Sequence, residues 1–490
     1  MRKLFGVLGI VVLALAAVVG VKTWLMPSRQ LAVAPATPVG VDAAAAAERL
    51  GAAVRFRTIA SADDVNANAA EFEGLQTWLQ TSFPAAHRVL QRERVGRSLV
   101  YRWPGTDPKL AAIGLMAHQD VVPVAPGTES DWLQPPFSGM VRDGFVWGRG
   151  AWDDKGNLMA MMEAAELLAK SGFQPRQTLY LIFGEDEELG GHRGAVAIAT
   201  LFKQRGIHLQ FVLDEGLLIT DGLLAGLTAP AALVGVAEKG YLSVQLGATA
   251  TPGHSSMPPP GAQTSAIGML SAALTRLEDR QMPLAVRGLS REMFETLAPE
   301  MSGANRVFLS NLWLFGPLVE QQLKKSASTN ATLRTTTALT VFHAGNADNV
   351  LPGRAAATVN FRLLPGDSSD AVVEHVTAAI ANPAIRVDKA PGFSEASRVA
   401  ATDAAGFQLI AKTLRQLHPD VIVAPGLMIG ATDSRHFDAV ADQVYKFSPV
   451  RARPEDLKRF HGTNERISIA NHVELIQFYH QLISNSAPAP

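Results

Sequence analysis

His118 and Asp120 stand two residues apart where the apolar run 113–117 ends, in "LMAHQDVVPV". A core strand that closes on an imidazole and a carboxylate either delivers a metal ligand or proton carrier to a sheet edge, or merely reaches the surface. Four further stretches repeat the pattern. "WGRGAWDDKGN" puts Asp153 and Asp154 in a glycine-rich turn before a helix, "LYLIFGEDEELGG" runs from a strand into Glu185, Asp186, Glu187 and Glu188, "FVLDEG" ends on Asp214 and Glu215, and "RFHGTNERI" sets His461 in a polar turn. Taken singly, each has a plainer use. Asp in a Gly-rich turn shapes the turn or caps a helix, an acidic run is a solvated loop, and a histidine near a C-terminus is a surface residue. Taken together, so many acids gathered at one place would repel one another unless cations neutralised them.

Such a gathering needs a sheet whose strand ends share an edge. The strand candidates are 98–103, 113–117, 178–183 and 209–213, and the helix candidates between and after them are 157–169 and 194–204. This alternation predicts an α/β domain with a largely parallel sheet, which binds ligands at the carboxyl ends of its strands. The ligand arithmetic then fits two metal ions. Two neighbouring ions need six protein contacts at three apiece, or five ligands if one carboxylate bridges. His118, Asp153, Glu188, Asp214 and His461 supply five. Asp120, two residues beyond His118 in an extended segment, projects to the same side and can accept the other imidazole N–H. Glu187 is left beside a ligand, free to act as a base.

Beyond residue 237 the texture changes. "KGYLSVQLGATA" and "AAATVNFRLLPGD" alternate like half-exposed strands, with the apolar helical stretch "ANRVFLSNLWLFGPLVEQQL" between them. The α/β pattern returns with "GFQLIAKTLRQL", "VIVAPG" and a helix over 468–483. The predicted organisation is a catalytic domain in two parts, 41–237 and 393–490, interrupted by a smaller α+β domain over 238–392. Ahead of these lie a membrane anchor or signal segment (1–26) and a tether (27–40). Residues 4–21 carry no charge and follow Arg2 and Lys3, a run long enough to span a bilayer. It reads as an uncleaved signal anchor that leaves the rest on the periplasmic side, or as a signal peptide whose cleavage would release a secreted protein. The chain has 490 residues, too many for one ordinary core, and balances 44 basic against 45 acidic residues, which gives no support to nucleic-acid binding. It has no cysteine, so a metal must be held by His, Asp or Glu.

In this order "HQDVVP", "GRGAWDDKG", "DEELGG", "LDEG", "HSSMPP" and "HGTNERI" resemble the co-catalytic zinc metallopeptidase family of carboxypeptidase S, glutamate carboxypeptidase and the aminoacylases. The resemblance runs from about residue 42 to the C-terminal helix, and leans to the carboxypeptidase S and N-fatty-acyl-amino-acid hydrolase branch. It implies two zinc ions per chain, one on His118 and Asp214, the other on Glu188 and His461, with Asp153 bridging across a cis Asp153–Asp154 peptide. It makes Glu187 the general base. It also implies a homodimer through the inserted lid/dimerisation domain, in which His254 reaches the partner's site and polarises the scissile carbonyl. Asn349 in "NADNVLPG" and Arg362 in "VNFRLLPGD" resemble substrate-binding positions, and Gly430 and Thr432 in "MIGATDSRHF" resemble cleft-lining ones.

The expected activity is hydrolysis of an amide next to a free carboxylate. With a peptide as substrate this is a carboxypeptidase, the reading favoured. With an N-acyl amino acid it is an amidohydrolase, for which an anchor would suit a lipid-like acyl chain. A non-catalytic, membrane-tethered binding protein on the same fold is the third reading, and the presence of all five ligand candidates and Glu187 speaks against it.

Overall fold

The computed structural model describes residues 2–486. Its centre is an eight-stranded sheet in the order Gln91–Val95, Ser98–Trp103, Leu179–Gly184, Ala112–His118, Leu209–Thr220, Ala441–Ala452, Ala231–Glu238, Ile422–Met428. Ala112–His118 runs parallel to both neighbours, Ala441–Ala452 is parallel to Leu209–Thr220, and Ile422–Met428 is parallel to Ala231–Glu238. The first two strands and the flanks of Ala231–Glu238 facing Leu209–Thr220 and Ala441–Ala452 pair antiparallel. Every residue of Ala112–His118 and Leu179–Gly184 is buried, because helices cover both faces, the setting in which strands are near-continuously apolar. Ile113, Leu115, Leu181 and Phe183 face a core shared with the helices Ala43–Val54, Lys155–Lys170, Ala405–Leu417 and Ile469–Ser486. Met116, Tyr180 and Ile182 face the opposite way, onto Ile198 and Phe202 of the helix Ala195–Gln204.

The strand expected over 209–213 runs on to Thr220, so Asp214 and Glu215 lie within it and not at its end. Besides the edge strand Gln91–Val95, two inner sheet strands, Ala231–Glu238 and Ala441–Ala452, have no counterpart among the strands read from the sequence. The latter, "ADQVYKFSPVRA", mixes Lys446 and Pro449 into a buried position that its polarity conceals.

The inserted region contains a four-stranded antiparallel sheet in the order Thr336–Ala344, Arg354–Leu363, Gly240–Thr249, Ile385–Lys389. Gly240–Thr249 alternates between buried and more open positions, and the helices Ala266–Asp279 and Ser369–Ile380 cover its inner face through Leu270, Leu277, Val372 and Val376. Not all of the insert belongs to this unit. The helices Gly288–Leu297, Gly303–Ser310 and Leu312–Leu323 bury Met293, Phe294, Leu297, Leu309 and Val319 against Ala231, Ile422 and Ala424 of the main sheet. Residues 27–40 have no regular structure, but they are not a free tether. Gln30 bonds both the N–H and the carbonyl of Val423 (2.7 and 3.0 Å), Ala36 donates to the Gln416 carbonyl (3.0 Å), and Arg29 pairs with Glu295 (3.0 Å). Ahead of them Arg2–Leu25 is one helix with its apolar side chains largely in the open.

Candidate metal centre

His118 ends its strand at the carboxyl edge of the sheet, and the turn before the helix Lys155–Lys170 brings Asp153 against it. His118 Nε2 lies 3.0 Å from Asp153 Oδ1, and His461 Nε2 lies 2.7 Å from Asp153 Oδ2 and 3.2 Å from Glu188 Oε1. Asp153 thus stands between two imidazoles, one oxygen toward each. The Asp153–Asp154 peptide is cis. Ligand atoms of Asp153, Glu188 and His461 fall within 4.8 Å of one another, and so do those of His118, Glu187 and Glu188.

Asp120 does more than orient an imidazole. His118 Nδ1 is 2.9 Å from its carbonyl oxygen and 3.4 Å from its carboxylate. The same carboxylate accepts the backbone N–H groups of Glu187 and Glu188 (3.2 and 3.1 Å), so one buried acid fixes both walls of the site. Asp214 is buried and receives N–H bonds from Glu215 (2.9 Å) and Ser434 (2.8 Å). It stands outside the two tightest clusters, and burial raises its carboxyl pKa against the pull of the Ser434 and Glu215 N–H groups and of His118.

The electrostatics are those of a cation site. Burial disfavours the charge on Asp153, but bonds from His118 and His461 outweigh it and hold that carboxyl below the ordinary range. The same bond to Asp153, with the Glu188 carboxylate at 3.2 Å, pushes His461 up to about 10. Burial opposes charge on His118 too, and Asp120 and Asp153 overcome it, so its pKa is raised. Glu187 is pushed well up by lost solvation and, against the pull of His118, by the facing carboxylates of Asp433, Glu188 and Asp153. Glu188 Oε1 is buried and receives no aligned hydrogen bond, facing His461 only as an ion pair. An N/O donor set with an orphaned carboxylate oxygen, drawing positive charge onto its histidines, fits divalent metal, whose binding would displace those protons.

A carboxylate without an assigned role in the sequence reading holds the metal loops together. Glu465, fully buried, accepts N–H bonds from Gly150 (2.9 Å), Trp152 (3.0 Å) and Asp153 (3.1 Å) through Oε1, and pairs with Arg149 Nη1 through Oε2 (2.5 Å). Arg149 in turn donates to the carbonyls of His461 and Gly462, both at 3.2 Å. His461 sits at φ +55°, a conformation uncommon outside glycine, and the bond from Arg149 to its carbonyl helps to hold it there. The motif "HGTNERI" contained the signal, an acid four residues after a ligand, but nothing in the sequence told it from a surface charge.

The remaining candidates separate. His254 is exposed on the lid, bonded to Ser256 Oγ (2.8 Å), and pairs in register with Val350 beside Asn349, whose carbonyl accepts from Ser255 (3.0 Å). Arg362 lies over the Tyr241 ring at 5.0 Å. Among the described residues no hydrogen bond or ion pair joins these three to the carboxylate cluster. Gly430 is half-buried in the loop after Met428. Thr432, expected to line the cleft, does not open onto it. Its N–H and Oγ1 are drawn inward to Glu238 Oε2 (3.2 and 3.3 Å), which fixes the loop that presents Ser434 to Asp214.

The sequence model of "Peptidase family M20/M25/M40" matches residues 114–485. "Probable carboxypeptidase S-like 2" of Dictyostelium discoideum is 40% identical over 445 residues, 90% of this chain and 85% of the relative. "N-fatty-acyl-amino acid synthase/hydrolase PM20D1.1" of Danio rerio is 40% identical over 439 residues, covering 89% and 84%. The crystal structure of the M20 family metallo-carboxypeptidase Sso-CP2 from Sulfolobus solfataricus superposes with a TM-score of 0.64 at 18% identity, over 90% of this chain and 99% of that one, which establishes a shared fold. A parallel sheet ending in this His/Asp/Glu cluster, read with that breadth of sequence match, makes the chain a metal-dependent hydrolase belonging to peptidase family M20/M25/M40.

Proposed function

We propose that the protein is a carboxypeptidase that hydrolyses the amide bond next to a free C-terminal amino acid. The observation that carries this is the paired cluster, with Asp153 between His118 and His461 and Glu187 at its edge. A pair of zinc ions, held by His118, Asp153, Glu188, Asp214 and His461, would when bound supply an acidified water and a polarised carbonyl. Glu187 takes the proton of the attacking water and returns it to the leaving amine, a role suited to a carboxyl whose pKa burial raises. The partner subunit's His254 donates to the carbonyl oxygen as it gains charge. Arg362 pairs with the substrate carboxylate in a fork, and Asn349 and Gly430 line its approach. Dimerisation through the lid is supported by the edge strand Thr336–Ala344, which leaves Leu339, Val341 and Phe342 exposed.

The same residues would cleave an N-acyl amino acid. The Danio rerio relative's name, at 40% identity, favours this as the second reading. The N-terminal helix supports membrane anchoring, since Lys3–Leu25 is long and apolar enough to cross a bilayer and none of it is buried. A comparison of kcat/KM for an N-blocked dipeptide and a long-chain N-acyl amino acid, on zinc-loaded full-length protein with a chelated control, separates the two. Preference for the dipeptide supports the carboxypeptidase, and preference for the acyl substrate overturns it in favour of the amidohydrolase.

A further inference from the structure

The helices Gly303–Ser310 and Leu312–Leu323 pack against the main sheet on one side and against the N-terminal helix on another. The contact with the N-terminal helix is specific. The buried Asn311 amide donates to Thr23 Oγ1 (2.9 Å), to the Val19 carbonyl (3.4 Å) and to the Val307 carbonyl (2.9 Å), while its oxygen accepts from Trp313 Nε1 (3.2 Å). Arg306 reaches the Thr23 carbonyl (3.5 Å), and Lys22 Nζ lies 5.2 Å from the centre of the Trp313 ring. The amide is fully satisfied only while the two pieces stay together.

These contacts fix a depth. The apolar span Lys3–Leu25 covers 23 residues, about 34 Å at ~1.5 Å per residue against a hydrocarbon core of ~30 Å. Val19 lies six residues before Leu25, about 9 Å further into the bilayer on the same rise. A helix pair bonded to Val19 and Thr23 therefore cannot stand clear of the lipid surface. Its free face suits that position. Trp313 and Leu318 are half exposed, Leu314 and Pro317 share their side at helical spacing, and this stripe carries no charge. The only charged residues in 303–323 are Arg306 and Glu320, and both are engaged, Glu320 by the Val286 N–H (2.9 Å). Lys22, Trp24 and Trp313 form the kind of basic and aromatic belt found at the lipid–water boundary.

We propose that the helix pair Gly303–Leu323 is a membrane-seated platform whose Trp313–Leu318 face enters the headgroup region of a phospholipid bilayer and holds the catalytic domain in a fixed pose on it. The proposal rests on the reading of Arg2–Leu25 as a membrane anchor. Because the chain has no cysteine, a single nitroxide can be placed at will on the full-length protein in phospholipid nanodiscs. Labels would go at Leu318→Cys and Trp313→Cys. Leu13→Cys in the anchor serves as the bilayer reference, and Arg94→Cys, exposed on the opposite edge of the eight-stranded sheet, as the aqueous one. The expected result is loss of collision with a water-soluble nickel chelate and gain of collision with oxygen at 318 and 313, approaching the values at 13. Aqueous values at 318 and 313 with a protected Leu13→Cys would overturn the platform and leave the anchor standing. Aqueous values at 13 as well would overturn the anchor reading, and the platform with it.

Discussion

Replacing Glu465 by Gln keeps the shape of the residue and removes the charge around which the metal loops are tied. Oε1 gathers three backbone N–H groups, from Gly150, Trp152 and Asp153, and Oε2 faces Arg149. If the Gln oxygen keeps the three amides, its NH2 points at a guanidinium, donor against donor, and Arg149, 2% exposed, is left a buried charge without a counter-ion. Breaking a buried pair from one side costs about 3–5 kcal/mol. With an unfolding entropy of ~2.1 cal/mol/K per residue, a chain of 490 residues loses about 3–5 °C of Tm if it melts as one unit. The sharper readout is metal affinity. Residues that orient ligands from behind are worth roughly 10- to 100-fold, and Glu465 bonds the Asp153 N–H directly while Arg149 bonds the His461 carbonyl. Zinc titration by competition with a chromophoric chelator should show that loss. Adding Arg149→Met should restore most of the Tm, because no buried charge remains, yet leave metal affinity low. A lowered Tm with unchanged affinity would confine the pair to a structural role, and wild-type values of both would refute the reasoning altogether.

Glu187→Gln should bind metal as the wild type does and lose about 10²–10⁴-fold in kcat, the usual worth of a general acid–base group; normal turnover would remove Glu187 from the mechanism. Saturating metal should raise the Tm of the wild type, by about 2.7 kcal/mol of stability at a hundredfold excess over Kd. Asp153→Ala should lose most of that rise, and full metal retention there would count against the bridge. His472 is buried with both ring nitrogens unpartnered, and burial and Arg49 depress its pKa to about 3. The unfolded chain takes up its proton near pH 6.5, so the stability this neutral imidazole contributes is whole above that pH and is lost as pH falls toward 3, about 2 kcal/mol of it by pH 5. His472→Leu should flatten the acid limb of a denaturation-against-pH curve over that window, and an unchanged slope would show that another group sets it.

The readable parts of this chain were those where local pattern and tertiary place agree. Ala112–His118, Leu179–Gly184 and Lys155–Lys170 are apolar because they are buried, and so they announced themselves within a residue or two of their ends. The candidates His118, Asp153, Glu188 and His461 were legible for a related reason, being charges at a strand end or in turns with no other evident need of them, whereas Asp214 lies inside its strand. Ala441–Ala452 failed the test because its burial is not apolar. Lys446 lies at the centre of the main sheet, in register with Asp214 and Gly235, and Gly216 and Gly235 leave it room by having no Cβ. Burial lowers the pKa of its ammonium, and the carboxylate of Glu238, which also binds Thr432, opposes that from a distance without bonding to it. The inward turn of Thr432 was illegible on that account. It depends on a counter-ion nearly two hundred positions away, on a strand the sequence pattern did not mark. Glu465 belongs to the same class as Lys446, a buried charge whose meaning lies wholly in its partner.

Within the insert, sequence order and packing diverge for a different physical reason. The alternating strands Gly240–Thr249 and Arg354–Leu363 bracket residues that share neither their sheet nor their core, because Met293, Phe294 and Leu297 bury against Ile422 and Ala424 of the catalytic domain. The lid sheet with its two helices joins the catalytic domain beside the bridge between Tyr241 and Ser394, whose N–H and carbonyl groups exchange bonds of 2.9 and 2.8 Å. The helices 288–323 stay with the main sheet and with the N-terminal helix. One insert thus divides between two cores, a unit carrying His254, Asn349 and Arg362, and a block bonded through Asn311 and Glu295 to the chain's first thirty residues, which Gln30 ties to the strand beside it. The buried apolar residues draw the line between these two cores where the order of the sequence does not.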